Sequence, residues 1–100
     1  MEEKNYPIRI IADKLQLEEV LKEQSEKEQF EKLANYLDYL VSHDFNKLIS
    51  ILYRIDVSED KARRSLAEEA GIRSAGNTLA RLLLEREAEK IKFRKMYKKD

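Results

Sequence analysis

The sequence predicts an all-α fold, a small bundle of four or five short helices. Three observations carry that reading. Only two glycines and one proline occur, so the residues that hairpins and tight turns demand are scarce. Leu, Glu, Lys, Arg, Ala and Gln, all good helix formers, dominate the rest. Apolar residues recur at spacings of three and four, which stacks them on one side of a helix. At 100 residues, 42% hydrophobic and 40% charged, residues 1–100 read as one domain with a single core under a charged surface.

Residues 1–11 are read as an extended N-terminal arm, because Pro7 restricts Tyr6 to extended geometry and Ile8, Ile10 and Ile11 would then form an apolar strap. The lead-in to a helix is the other reading. From about Ala12, the residues Leu15, Leu17, Val20 and Leu21 support a short helix. The polar run 22–29 is either a loop or the solvated middle of one long helix over 12–41. Within 26–41, Phe30, Leu33, Ala34, Leu37, Leu40 and Val41 define a buried stripe bordered by Tyr36 and Tyr39.

Ser42, His43 and Asp44 break that run, and Asp44 is a candidate N-cap. Phe45, Leu48, Ile49, Leu52 and Ile55 follow, widened by Ile51 and Tyr53. A helix this apolar is expected at the centre of the bundle. Asp56 and Ser58 compete to cap the next helix, which should bury Ala62, Leu66 and Ala70 and end at Gly71 in a left-handed conformation. The last helix is expected from about Ala75 to Tyr97, capped by Ser74 or Asn77, with Leu79, Leu82, Leu83, Ala88, Ile91 and Met96 making its apolar contacts. Its more polar second half, ending in a basic stretch over 90–100, is expected to project past the bundle.

Charge is balanced overall but not along the chain. Residues 1–50 hold seven Lys or Arg against eleven Asp or Glu, and residues 51–100 hold thirteen against nine. The basic excess gathers at Lys90, Lys92, Arg94, Lys95, Lys98 and Lys99, interleaved with Ile91, Phe93, Met96 and Tyr97. Such a stretch can neutralise phosphates while its aromatic rings stack, or it can simply oppose the macrodipole at a helix C-terminus. A helix-turn-helix is the second nucleic-acid reading, with Ala67 and Gly71 at the expected turn and Asn77, Thr78 and Arg81 facing the groove. Its apolar anchor falls about two residues late, and a plain helical corner accounts for the same residues.

Chemistry finds little purchase. The chain has no cysteine, which removes thiolate metal sites, disulfides and thiol nucleophiles. His43 is the one histidine, and with Asp44 it makes too few donors for a catalytic metal; Ser42 beside it lacks an oriented base. No catalytic residue, metal or cofactor is expected. The carboxylates mostly lie near Lys or Arg in sequence, as Glu87 does with Lys90, and are read as a solvated, ion-paired surface. Acids at the start of the chain and no long apolar run argue against a secretory leader or a membrane span, so a cytoplasmic location is expected.

The segment LANYLDYLVSHDFNKLISILYRIDVSEDKARR and the later LLLEREAEKIKFRKMY, covering residues 33–97, resemble small hypothetical proteins of Bacteroidetes and related bacteria. In that group an LLYRIDVSE-like stretch ends an apolar helix and a basic helix follows. The resemblance implies an all-helical cytoplasmic domain and brings no catalytic residue with it.

The expected function is a non-enzymatic protein-interaction or regulatory module, with Tyr53, Arg54, Asp56, Leu82 and Leu84 as its interface and a homodimer as one outcome, since Leu82 to Leu84 offer surplus apolar surface. The alternative is a nucleic-acid-associated factor using Arg81, Arg86, Lys90, Arg94, Lys95, Lys98 and Lys99. It requires those groups to converge on one face, uncancelled by Glu85, Glu87 and Glu89.

Overall fold

The computed structural model describes the backbone of residues 6–98 and the side chains of 7–96. Among them six helices and no strand occur: α1 (Tyr6–Lys14), α2 (Glu18–Lys22), α3 (Glu26–His43), α4 (Phe45–Ile55), α5 (Glu59–Glu69) and α6 (Ala75–Lys98). The all-α bundle is therefore observed, with six helices because the N-terminal region divides into α1 and α2.

Residues 6–11 are helical, not an extended strap. Proline is well accommodated in the first turn of a helix, where its missing N–H has no intrahelical partner to lose. Once the turn forms, Ile8, Ile11 and Ala12 come onto one side and are fully buried. The single long helix over 12–41 is excluded and the loop is found, confined to 23–25; before it, α1 stops at Lys14 and a single turn, α2, stands where one short helix from Ala12 was expected. Gln16 ends α1 with φ +58°, the Gln16 amide donating to the Asp13 carbonyl and the Leu17 amide to the Ala12 carbonyl. This Schellman closure usually takes glycine. Ser25 then caps α3 by accepting from the Glu28 amide, and the buried Gln29 side chain donates to the Glu23 carbonyl at 2.9 Å, stitching the α2–α3 turn.

The long helices α3 and α6 form the central pair, and α6 also packs against α1, α4 and α5. Leu33 and Leu37 from α3 meet Leu79, Ala80 and Leu83 from α6 in the core. What permits this close crossing is Gly76: a Cβ there would collide with the Ala34 carbonyl oxygen and come within 2.6 Å of the Asp38 amide nitrogen. The expected centre, α4, is peripheral. It buries Leu48, Ile51, Leu52 and Ile55 but leaves Phe45 and Tyr53 in solvent. Its apolar residues exceed what one buried face can absorb, and the longer helices α3 and α6 form the most extensive contact instead.

Asp44 caps α4 as expected, accepting from the Lys47 amide. Ser58 caps α5 by accepting from the Lys61 amide, while Asp56 takes the left-handed position that closes α4, at φ +70°. Gly71 is left-handed at φ +83°. Ala62 is buried as expected and Leu66 half-buried, but Ala70 is exposed because α5 ends at Glu69. Ser74 accepts from the Asn77 amide and caps α6. Leu79, Leu82 and Leu83 are buried, Ile91 is half-buried, and Ala88 and Met96 are exposed. Residues 92–96 are exposed throughout, so the end of α6 does run past the body.

Candidate interaction surface

Helix α4 has three faces. At about 100° per residue, Leu48, Leu52 and Ile55 point to the core, Phe45, Ile49 and Tyr53 form an outer apolar row, and Lys47, Ser50 and Arg54 occupy the third side. Phe45 is 52% and Tyr53 78% exposed, with Ile49 half-buried between them. Spaced by four, these residues make a continuous row about 12 Å long on the helix axis. Just before α4 in the chain, the exposed Tyr39 ring stacks on His43, centroids 4.3 Å apart, and His43 Nδ1 lies 3.0 Å from the Tyr39 carbonyl oxygen.

The expected interface residues separate. Tyr53 belongs to the outer row, while Arg54 lies on the third face. Asp56 turns to α6, where Arg86 donates to its carboxylate at 2.8 Å and to its carbonyl at 3.1 Å. The Arg86 hydrogen bond and charge hold the Asp56 carboxyl below its ordinary value, and the Arg86 guanidinium is raised in return by Asp56 and Glu89. Leu82 is 7% exposed and lies inside the chain's own core, so it offers no interface; the same burial of Leu83 removes the surplus apolar surface expected there. Leu84 is half-buried beside Phe30, Arg81 and Glu85.

The basic residues divide as well. Arg86, Lys90 and Arg94 fall in one row, each about 40° from the last, while Arg81 and Lys95 point elsewhere. Within the row Arg86 is bound to Asp56 and Glu89, and Lys90 lies 3.6 Å from Glu87. Lys99 and the Lys98 side chain lie outside the described residues.

The helix-turn-helix arrangement is overturned by burial. Ala67, which should face the partner helix, is exposed. Thr78, expected to face a groove, is 2% exposed and donates to Glu69 at 2.6 Å. Asn77 is half-buried with its Oδ1 enclosed. Arg73 adds a 2.8 Å ion pair to Glu69. Thr78 and then Arg73 hold the Glu69 carboxyl below its ordinary value. The corner is thus a locked structural joint.

Glu87 is the residue that sequence reasoning placed wrongly. It is completely buried, with Oε2 2.7 Å from Lys14 Nζ and Oε1 without a partner. Its position was legible in one respect: it continues the line of Gly76, Ala80 and Leu83, which is the buried face of α6. Among the described residues no group of three His, Cys, Asp or Glu could hold a metal, and no helix is long and apolar enough to cross a membrane. No protein-family model, curated protein or solved structure matches this chain.

Proposed function

We propose that the protein is a non-enzymatic interaction module that docks another protein surface on the outer row of α4. The observation that carries this reading is the row itself. Scattered exposed apolar residues are ordinary, whereas a contiguous apolar strip flanked by polar side chains is the usual form of a binding surface. Tyr53 and Phe45 provide rigid rings at either end, the residue class that contributes most per contact at interfaces. The row replaces the interface expected around Leu82, whose side chain is committed to the core.

Site-specific photocrosslinking tests this in cells that make the protein. A benzophenone amino acid at Tyr53 is expected to give a discrete adduct that disappears when Phe45→Ser is added, while the same probe at the exposed Glu68 on α5 gives none. The mass of the adduct separates a second copy of the chain from a different protein. Absence of any adduct at Tyr53, or an identical pattern from both positions, rejects the reading.

A further inference from the structure

The third face of α4 opens on a cleft of about 250 Å³ whose lining includes Lys14 and Gln16 from the end of α1, Tyr36 from α3, and Lys47, Ser50 and Arg54 from α4. Every charged side chain lining it is a cation. Lys47 and Arg54 enter no ion pair with the described residues. Helix electrostatics do not account for Lys47, which stands third in α4, where the partial positive charge of the helix start disfavours a cation.

The three cations are also arranged. Lys47 and Arg54 are seven residues apart on one side of α4, about 10 Å along its axis. Lys14 stands on the other wall, its ammonium held 2.7 Å from the buried Glu87 carboxylate, so that it is positioned and not free to sweep through solvent. The half-buried Tyr36 supplies a phenolic hydroxyl with no hydrogen-bond partner among the described residues. The Ser50 hydroxyl donates its proton to the Lys47 carbonyl at 2.7 Å, so the cations and Tyr36 are the groups left to meet an anion.

We propose that this cleft binds a small phosphorylated metabolite by its phosphoryl or diphosphoryl group. Arg54 supplies a planar fork that matches two phosphoryl oxygens, Lys47 and Lys14 act as point charges on either side, and Tyr36 donates a neutral hydrogen bond. With Lys14 already paired to Glu87, the cleft presents the two unpaired positive charges of Lys47 and Arg54, which a group carrying two negative charges would match. The volume lies below the roughly 300–1,000 Å³ of pockets that enclose drug-sized ligands, so the cleft takes the anionic head and a short body and leaves a larger remainder in solvent. This site is on a different face of α4 from the Phe45–Tyr53 row and stands or falls without it.

Calorimetric titration of the full chain with inorganic pyrophosphate, at ionic strength held constant with sodium chloride, tests the proposal. Saturable one-to-one binding is expected, weakened at least about tenfold in the double variant Lys47→Gln, Arg54→Gln. The control pair Lys92→Gln, Arg94→Gln on the projecting end of α6 is expected to bind as the wild type does. Thermal melting checks that each variant folds; should the double variant fail to fold, Tyr36→Phe, which removes only the hydroxyl, is expected to weaken binding severalfold by itself. No saturable heat up to about 10 mM pyrophosphate, well beyond a functional affinity, overturns the proposal, as does a loss confined to the α6 control. Binding of a mixed-sequence RNA through Lys47 and Arg54 without binding of pyrophosphate would equally overturn it in favour of a polymer.

Discussion

The Asp38 carboxylate of α3 accepts the Gly76 amide of α6 at 2.7 Å. A side chain remote in sequence thus satisfies an amide in the first turn of α6, where a helix has no intrahelical acceptor of its own and favours negative charge. The same contact requires Gly76 to lack a side chain, since a Cβ there meets backbone atoms of Ala34 and Asp38.

Gly76→Ala is therefore expected to destabilise the protein by about 3 kcal/mol, because backbone cannot yield as a flexible side chain would. Asp38→Ala should cost about 1 kcal/mol, the usual loss of a helix cap. Urea unfolding measures both, and a Gly76→Ala variant as stable as the wild type would show that α3 and α6 can separate without penalty.

Removing Lys14 should be costly beyond its own exposure. Lys14→Met leaves the buried Glu87 with only the 3.6 Å contact to Lys90 and is expected to lose about 2 kcal/mol. The double variant Lys14→Met, Glu87→Met removes both charges and should recover most of that loss. A double-mutant cycle reads the coupling directly; additive losses would mean that the pair is not coupled.

Stability should fall in acid through Glu69 and Asp56. Both carboxyls are lowered in the folded state, Glu69 by Thr78 and Arg73 and Asp56 by Arg86. Their contribution is present above the unfolded values and is lost as pH falls through the lowered folded values. For Glu69 the decline begins below its ordinary value of 4.5. Denaturant midpoints followed from pH 6 to about pH 2 should show a shallower decline in Glu69→Gln than in the wild type, with the gap between the two proteins closing at the acid end. A constant gap would rule out this linkage.

The left-handed helix ends invite opposite substitutions. Gln16→Gly relieves a side chain from a conformation that costs about 1–2 kcal/mol, against the entropy glycine brings to the unfolded chain, and should leave a net gain of up to about 1 kcal/mol. Gly71→Ala imposes that same strain, although nothing lies within 4 Å of the added Cβ, and should lose about 1 kcal/mol. Melting temperatures are expected to move by about 4–8 °C per kcal/mol in a domain of this size.

Helix α5 should be the first element to open. It fully buries only Ala62 and packs mainly on α6, so little apolar surface resists its detachment. Native-state hydrogen exchange is expected to show its amides exchanging well before those of α3 and α6. Equal protection across all three would make the bundle a single cooperative unit.

The elements that were legible in the sequence are those governed by local chemistry. The Phe30 to Leu40 stripe, the Asp44 cap, the end of α5 near Gly71 and the start of α6 near Ala75 all follow from periodicity, side-chain acceptors and backbone freedom within a few residues. The end of α1 was not legible because Gln16 occupies a position where glycine is the readable signal. Asp56 was misread for a related reason: an aspartate before a helix looks like its cap, yet here it closes the helix that precedes it. In the cationic cleft, Lys47 and Arg54 show their shared side of α4 by spacing, but Lys14 reaches them from a helix distant in sequence.

The sequence by itself determined that the chain is helical, roughly where the helices lie, and which side of each is apolar, since 3.6-residue periodicity and capping are properties of neighbours along the chain. Only the tertiary structure decided which apolar sides face inward. Helix α4 and helix α6 each carry more apolar residues than one face needs; the pairing of α3 with α6 through Gly76 takes up Leu83, Leu82 is buried beside the α4–α5 turn, and Phe45 and Tyr53 are left outside. The packing of helices distant in sequence also decided which charges are solvated, α1 against α6 burying Glu87 beside Lys14, while Lys47 and Arg54 stay unpaired among the described residues. Burial and charge pairing depend on what other elements arrive from afar, and one helix's sequence holds no record of its neighbours.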